Sequence, residues 1–260
     1  GQNDYQRFCK SDLLTDLEVL YQHAAQIHPR LAVKVQFDEF TKLYEWQKAN
    51  ISDSLNLNEF YLIAAPLLAW LNDAHSNVLP PNKPRIEYML QKNGLSFPFD
   101  VSIRDDTVFL AHYFGSSEID INKKKPIKSI NRTPVSDFLS DMRRLTGAKK
   151  KSIQNVTIER NFRLYLWMIY GFENDYDIVF QDDRRVKIAG VDNTTFLKNK
   201  LSPKVEDYSL NIDTLQNVAV LKIRTFANLE NFLPFIDSAF AVLKSEHYRT
   251  LVIDVRDNMG

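Results

Sequence analysis

Apolar residues recur at helical spacing along the first part of the chain. Three such patterns stand out, over residues 13–27, 37–44 and 56–71. The third opens with an asparagine followed three residues later by Glu59, which is the sequence of a capping box at a helix start. Because each pattern has one apolar face, packing three helices together buries those faces. The sequence therefore predicts an N-terminal helical domain over residues 1–85.

The apolar period changes to two in the middle of the chain. Apolar and polar residues alternate over 97–103 and return over 108–113, with Asp105 and Asp106 between them, as is typical of a β-hairpin. Three further elements are predicted: a helix over 135–145 and strands around 178–180 and 186–188. We predict a β-rich middle domain over residues 86–205.

An aromatic-rich stretch lies within this middle domain, over residues 154–176. Aromatic side chains at that density could line a groove for an unfolded substrate. Residues of this type are more often buried in a core. We predict that this stretch is core.

The last part of the chain has the pattern strand, helix, strand. Residues 218–223 and 251–255 are short apolar runs, and residues 229–246 keep one apolar face at helical spacing. Such a βαβ unit has parallel strands, and we expect its final strand to be buried. Residues 206–260 are therefore predicted to be the first, incomplete part of an α/β domain. The three regions together predict an α+β multidomain fold.

Composition narrows the classes of partner. The chain has 33 Lys and Arg residues and 33 Asp and Glu residues, so no overall charge attracts nucleic acid, and we predict no nucleic-acid partner. No apolar run reaches the ~18 residues of a membrane-spanning helix, and no signal-peptide pattern opens the chain. Neither a transmembrane segment nor a signal peptide is predicted. The single cysteine, Cys9, cannot form an internal disulfide.

Asp73, His75 and Ser76 directly follow the third helical pattern. Imidazole titrates near neutral pH, so a histidine held beside a serine hydroxyl can take its proton and return it to a leaving amine. His75 is the best general-base candidate in the chain. The alternative is structural, because a histidine at a helix end can also cap carbonyl groups or hydrogen-bond Asp73.

No second chemical motif accompanies this segment. The sequence lacks a Gly-x-Ser-x-Gly nucleophile elbow. It also lacks the His-Glu-x-x-His and cysteine patterns that hold metal ions. We predict no cofactor and no metal.

The C-terminal residues resemble a known family. The run from Asp254 to Gly260, Asp-Val-Arg-Asp-Asn-Met-Gly, resembles the Asp-x-Arg-x-Asn-x-Gly-Gly segment of the tail-specific, or C-terminal-processing, serine peptidases, the family that includes the tricorn core. The segment from Asp73 to Ser76 resembles the family's Asp-x-His-Thr/Ser motif, although Ala74 stands where the tricorn core has a serine. Two weaker matches are His28-Pro29 and Ile130-Asn131.

The resemblance implies a catalytic role at two positions. It makes His75 the general base, and it assigns backbone N–H groups near Gly260 to the oxyanion hole. Four supporting residues are implied: Asp73 and Ser76 beside the histidine, and Asp254 and Arg256 as a pair that holds the strand end.

In this family the nucleophilic serine, and the lysine or glutamate that completes the site, follow the glycine segment, which here means beyond residue 260. We therefore expect the chain to be the N-terminal part of a serine endopeptidase and to be inactive by itself. Within the family the alternative is a serine–lysine mechanism, in which His75 is structural.

The resemblance also implies a PDZ-like middle domain, protein or peptide substrates, and an extracytoplasmic location in the periplasm or cell envelope. Only the PDZ topology is expected, because the hydrophobic-Gly-hydrophobic loop that captures a peptide carboxylate is missing. Two other functions stay open: a non-catalytic protein on the same fold that binds an apolar ligand or peptide, and a scaffolding module. The unpaired edge of an incomplete sheet predicts self-association.

Overall fold

The computed structural model describes residues 6–91, 93–116, 125–171, 174–200, 206–246, 248, 250–256, 258 and 260. The chain divides into two compact units, Gly1–Lys200 and Leu201–Gly260. The predicted α+β multidomain fold is confirmed, since helices are mixed with several small sheets. The predicted domain boundary at residue 85 lies inside the first unit and stays a prediction.

Three helices form the N-terminal part of the first unit, as predicted. They are α1 (Lys10–Ile27), α2 (Lys34–Ala49) and α3 (Leu57–Ala69), and a small antiparallel sheet of β1 (Arg7–Cys9) and β2 (Ser54–Asn56) lies beside them. Leu17, Phe40 and Leu67, one from each helix, are fully buried in the same apolar cluster. The apolar faces read from the sequence are therefore the faces that pack.

The capping box at the start of α3 is confirmed. The side-chain oxygen of Asn56 accepts hydrogen bonds from the backbone N–H groups of Asn58, at 2.9 Å, and of Glu59, at 3.0 Å. The Glu59 carboxylate accepts the N–H of Asn56 at 2.8 Å. Asn56 is 1% exposed, so these bonds satisfy helix-end donors that water cannot reach.

The middle of the first unit combines short strands with four helices. Its elements in chain order are α4 (Asn82–Gln91), β3 (Phe99–Arg104), β4 (Thr107–Tyr113), β5 (Ile127–Ile130), β6 (Thr133–Pro134), α5 (Val135–Arg143), α6 (Lys151–Tyr170), β7 (Asp175–Phe180), β8 (Arg185–Ala189) and α7 (Asn193–Asn199). β3 and β4 form the predicted hairpin, and a second sheet has the order β6-β5-β7-β8. The sequence patterns did not predict α4, α6 and α7 as helices, nor β5 and β6 as strands.

Helix α6 supplies most of the aromatic-rich stretch and lies in the core, as predicted. Phe162, Tyr165 and Trp167 are each no more than 3% exposed. The helix packs against β3 and α5. These side chains therefore stabilise the unit and do not line an open groove.

The second unit contains the predicted βαβ arrangement. Its elements are β9 (Tyr208–Asp213), β10 (Val218–Ile223), α8 (Leu229–Glu246) and β11 (Thr250–Asp254). β10 and β11 pair in parallel, as predicted. β9, which the sequence patterns did not predict, pairs antiparallel with β10 and gives the order β11-β10-β9.

The prediction that the final strand is buried is wrong. Leu251, Val252 and Ile253 in β11 are 37%, 44% and 54% exposed. Among the described residues β11 pairs with β10 alone, and the apolar residues of α8 cluster with side chains of β9 and β10. An apolar strand is buried only where neighbours cover it, and here the helix covers the other two strands.

We predict that Asn56→Ala lowers the free energy of unfolding by about 1 kcal/mol, because two buried N–H groups lose their acceptor. Asn56→Ser is the matched control, since a serine oxygen can still accept. Urea denaturation of both variants measures the difference. Equal midpoints for the alanine and serine variants would contradict a capping role.

We also expect the chain to self-associate through β11, because an apolar strand edge without a neighbour can pair with another chain. Val252→Lys should shift the protein to monomer in light scattering. Val242→Lys, on α8 and also exposed at 40%, should leave the association unchanged. A monomeric unsubstituted chain would show the prediction to be wrong.

Candidate functional site

A tight turn follows α3 and is held by the carboxylate of Asp73. One carboxylate oxygen accepts the backbone N–H of His75 at 3.0 Å, and the other accepts the Ser76 hydroxyl at 2.7 Å. The backbone N–H of Ser76 donates to the Asp73 carbonyl at 3.2 Å. The predicted residues Asp73, His75 and Ser76 are therefore brought together around a single acid.

The chain folds in this way because both sides of the turn are constrained. Before it, Asn72 has φ +55, a left-handed conformation that asparagine tolerates better than most residues. After it, the side-chain oxygen of Asn77 accepts the N–H of Gly147 at 3.2 Å. A Cβ at Gly147 would lie 2.8 Å from the Asp73 carbonyl oxygen. The turn thus packs on a backbone that only glycine permits.

His75 turns one ring nitrogen toward Asp73 and leaves the rest of its ring exposed. Its Nδ1 lies 3.3 Å from a carboxylate oxygen of Asp73, and its side chain is 96% exposed. Because a carboxylate only accepts hydrogen bonds, Nδ1 carries the proton of the neutral ring. Nε2 is then unprotonated and accessible, so it can accept a proton.

The turn keeps Asp73 ionised. The backbone N–H of His75, followed by the Ser76 hydroxyl, lowers the pKa of the Asp73 carboxyl to about 2 from its ordinary 3.8. The carboxyl, which is ionised at neutral pH even at its ordinary pKa, therefore stays ionised to a more acidic pH. It can orient the imidazole and stabilise the imidazolium that forms when His75 takes a proton.

A second histidine reaches the same carboxylate. His28 Nε2 lies 3.7 Å from the Asp73 carboxylate, and its side chain is 13% exposed. His28 Nδ1 accepts the backbone N–H of Arg30 at 3.3 Å, which leaves the proton of the neutral ring on Nε2, toward Asp73. In the sequence, His28-Pro29 stands out only as a weak match to the family. The contact joins residues far apart in the chain, and no local pattern signals it.

In the second unit, Asp254 and Arg256 pair at the end of β11. Arg256 donates its Nε at 2.8 Å, its Nη2 at 2.7 Å and its backbone N–H at 3.0 Å to the Asp254 carboxylate. Asp254 is 8% exposed. The Arg256 guanidinium lowers the pKa of the Asp254 carboxyl below its ordinary value. These three hydrogen bonds join the last residue of β11 to the residue two positions further on.

Gly260 has φ +103, a conformation that side chains disfavour. Its carbonyl accepts the Thr225 hydroxyl at 2.7 Å and the N–H of Phe226 at 3.0 Å. Its own N–H donates to the side-chain oxygen of Asn258 at 2.8 Å. The glycine is thus tied to the loop after β10, with its amide engaged. Two residues of the family-like run lie outside the described residues, Asp257 and Met259.

The described part of the chain contains no group of three His, Cys, Asp or Glu side chains that could hold a metal ion. None of its helices combines the length and apolar character that crossing a bilayer requires.

The fold is related to that of a serine protease. The chain resembles solved structures of CPAF, a serine protease: mature CPAF (TM-score 0.52, 14% identity), mature CPAF complexed with lactacystin (0.51, 14%) and a serine-to-alanine mutant of CPAF (0.55, 13%). Each match covers 95% of this chain and 55–56% of the CPAF chain, so this chain spans about half the length of CPAF. No protein-family model and no curated protein sequence matches the chain. At such low identity the likeness establishes the fold alone.

We predict that Ser76→Ala raises the pKa of the Asp73 carboxyl from about 2 toward its ordinary 3.8. His75→Ala should raise it less, because the strongest donor is the backbone N–H of residue 75, which alanine retains. Carbon-13 NMR titration of the carboxyl measures both. A larger rise for His75→Ala than for Ser76→Ala would contradict this account.

The low pKa of Asp73 also makes the stability of the fold depend on pH. Because the pKa of Asp73 is lower in the folded chain, its ionised form stabilises the fold above about pH 4, and that contribution is lost as the pH falls toward 2. Asp73→Asn should lower the urea midpoint at pH 7, and the difference from the unsubstituted chain should shrink as the pH approaches 2.

Proposed function

We propose that this chain is the N-terminal portion of a serine endopeptidase of the tail-specific, or C-terminal-processing, family. The observation that carries the proposal is the His75–Asp73 pair, in which an ionised carboxylate orients an exposed imidazole. A fold related to that of a serine protease supports it. In this proposal the complete protein cleaves peptide bonds by acyl transfer.

His75 is the general base in this mechanism. A serine attacks the peptide carbonyl, Nε2 of His75 takes its proton, and the same nitrogen returns the proton to the leaving amine. Asp73 stabilises the imidazolium between these steps. Ser76 donates its hydroxyl to Asp73 at 2.7 Å, so its proposed role is to hold the acid.

Gly260 is the proposed oxyanion-hole residue, because the missing side chain lets a substrate carbonyl approach the backbone. Its N–H donates to Asn258, so this role requires the asparagine side chain to release the amide when substrate binds. Asp254 and Arg256 are proposed to hold the strand end that carries this segment.

The nucleophilic serine is proposed to lie beyond residue 260 in the complete protein. This chain matches only 55–56% of the CPAF chain. A complete protein of similar length would have further residues after residue 260, which supports this proposal. Residues 1–260 alone are then inactive.

The middle region is proposed to be a PDZ-like domain. The support is a four-stranded sheet, β6-β5-β7-β8, whose strand β5 is followed closely by helix α5. An extracytoplasmic location and protein or peptide substrates are proposed on the family resemblance. A non-catalytic binding protein is less favoured, because it gives the His75–Asp73 pair no use.

The test is proteolysis of an unfolded casein-type substrate by the full-length gene product and by its His75→Ala variant. We expect the substitution to lower kcat by about 10²–10⁴-fold, the usual contribution of a general base. His23→Ala, an exposed histidine on α1, is the matched control and should be neutral. Normal cleavage by His75→Ala would favour a serine–lysine mechanism, and a full-length protein that never cleaves would contradict the peptidase proposal.

A further inference from the structure

An open cleft of about 530 Å³ lies between α2, α3 and the end of α5. Its apolar wall includes Trp46 from α2 and Ile63, Pro66 and Trp70 from the region of α3. Its polar wall includes Arg143 and Arg144. The volume falls within the usual range for ligand sites.

The apolar wall presents an exposed tryptophan. Trp46 is 59% exposed, which leaves a large apolar ring in contact with water. Arg30 stacks 4.3 Å from the ring of Trp70, and its Nη1 donates to the Trp70 carbonyl at 2.9 Å, so the second indole is held in place. Rigid aromatic rings of this kind bind apolar side chains at low entropic cost, and they dominate many interfaces.

The polar wall carries two arginine side chains. No Asp or Glu is among the described residues that line the cleft. Arg143 bonds to Asp106 and Asn155, and its Nε is buried. The side chain of Arg144 is 64% exposed and meets Asp141 at 3.1 Å, which leaves other donors of its guanidinium accessible. A carboxylate bound to Arg144 would gain charge-assisted hydrogen bonds.

The cleft also adjoins the His75 turn. Asn72 lines the cleft and directly precedes Asp73, whose carboxylate contacts His75. The cleft therefore borders the turn that carries His75. An extended peptide, unlike a small anion, is long enough to contact both.

We propose that this cleft binds an acidic peptide segment, in which a carboxylate binds Arg144 and a neighbouring aromatic or large aliphatic side chain packs on Trp46. The proposal rests on the proposed peptidase function in naming that segment as part of the substrate. It also predicts a substrate preference: unfolded chains that contain acidic segments next to apolar side chains would be cleaved preferentially.

The test measures binding of a fluorescein-labelled Gly/Ser peptide that carries Asp-Asp-Phe-Leu, by fluorescence anisotropy on the full-length protein. We expect Arg144→Glu to raise Kd at least tenfold, Arg144→Gln to raise it less, and Trp46→Ala to raise it about thirtyfold. The same peptide with Lys-Lys in place of Asp-Asp should bind much more weakly, and added salt should weaken binding.

Two matched controls lie on α2, the helix that carries Trp46. Lys34→Glu reverses an exposed charge at the start of α2, and Val35→Ala removes an exposed apolar side chain. Both should leave Kd unchanged. The proposal would be overturned if the Arg144 and Trp46 variants had the Kd of the unsubstituted protein, or if the control variants changed Kd by the same factor.

Binding and cleavage are separable in this design. His75→Ala should bind the peptide with unchanged Kd, because the cleft does not include the imidazole. With an acidic substrate, Arg144→Gln should raise KM and leave kcat unchanged. If the protein binds the peptide through the cleft but never cleaves a substrate, the binding-site proposal stands and the peptidase proposal is wrong.

Discussion

The enclosure of α6 is the constraint on which the first unit depends. Residues 164–168 of this helix are five consecutive positions, each no more than 5% exposed. A helix buried on every side needs neighbours around its whole circumference. Tyr88 from α4 lies against Trp167 at 5.6 Å, and Phe97 and Phe138 pack on Phe162 from two other directions. The surrounding elements are thus held by one core.

This core positions the His75 turn indirectly, through the segment that joins α5 to α6. The segment that joins α5 to α6 contains Gly147, whose N–H donates to Asn77 and whose backbone lies against the Asp73 carbonyl. Fixing α6 therefore fixes the surface on which the turn rests. The largest single cause of the low pKa of Asp73 is a backbone donor, the N–H of His75, so the backbone of the turn itself stabilises the ionised acid.

The predictable elements were those whose own sequence encodes their burial. The three N-terminal helices, the β3–β4 hairpin and the βαβ unit all show a clear apolar period. β9 also has alternating apolar positions, Tyr208, Leu210 and Ile212, although no strand is predicted there. α4 follows two prolines and contains a third, Pro84, which are features typical of a loop. The exposure of β11 could not be predicted, because burial depends on neighbouring elements and not on the strand itself.

The candidate site divides in the same way. Asp73 and His75 are close in sequence, so a short motif identifies them. Two features join residues far apart in the chain: the contact of His28 with Asp73, and the lining of one cleft by Trp46 and Arg144. Only packing creates them. α3 connects these features, since its side chains line the cleft and the turn at its end carries the imidazole. In the proposed mechanism, a peptide that binds the cleft would therefore contact the helix that precedes the turn carrying the proposed base.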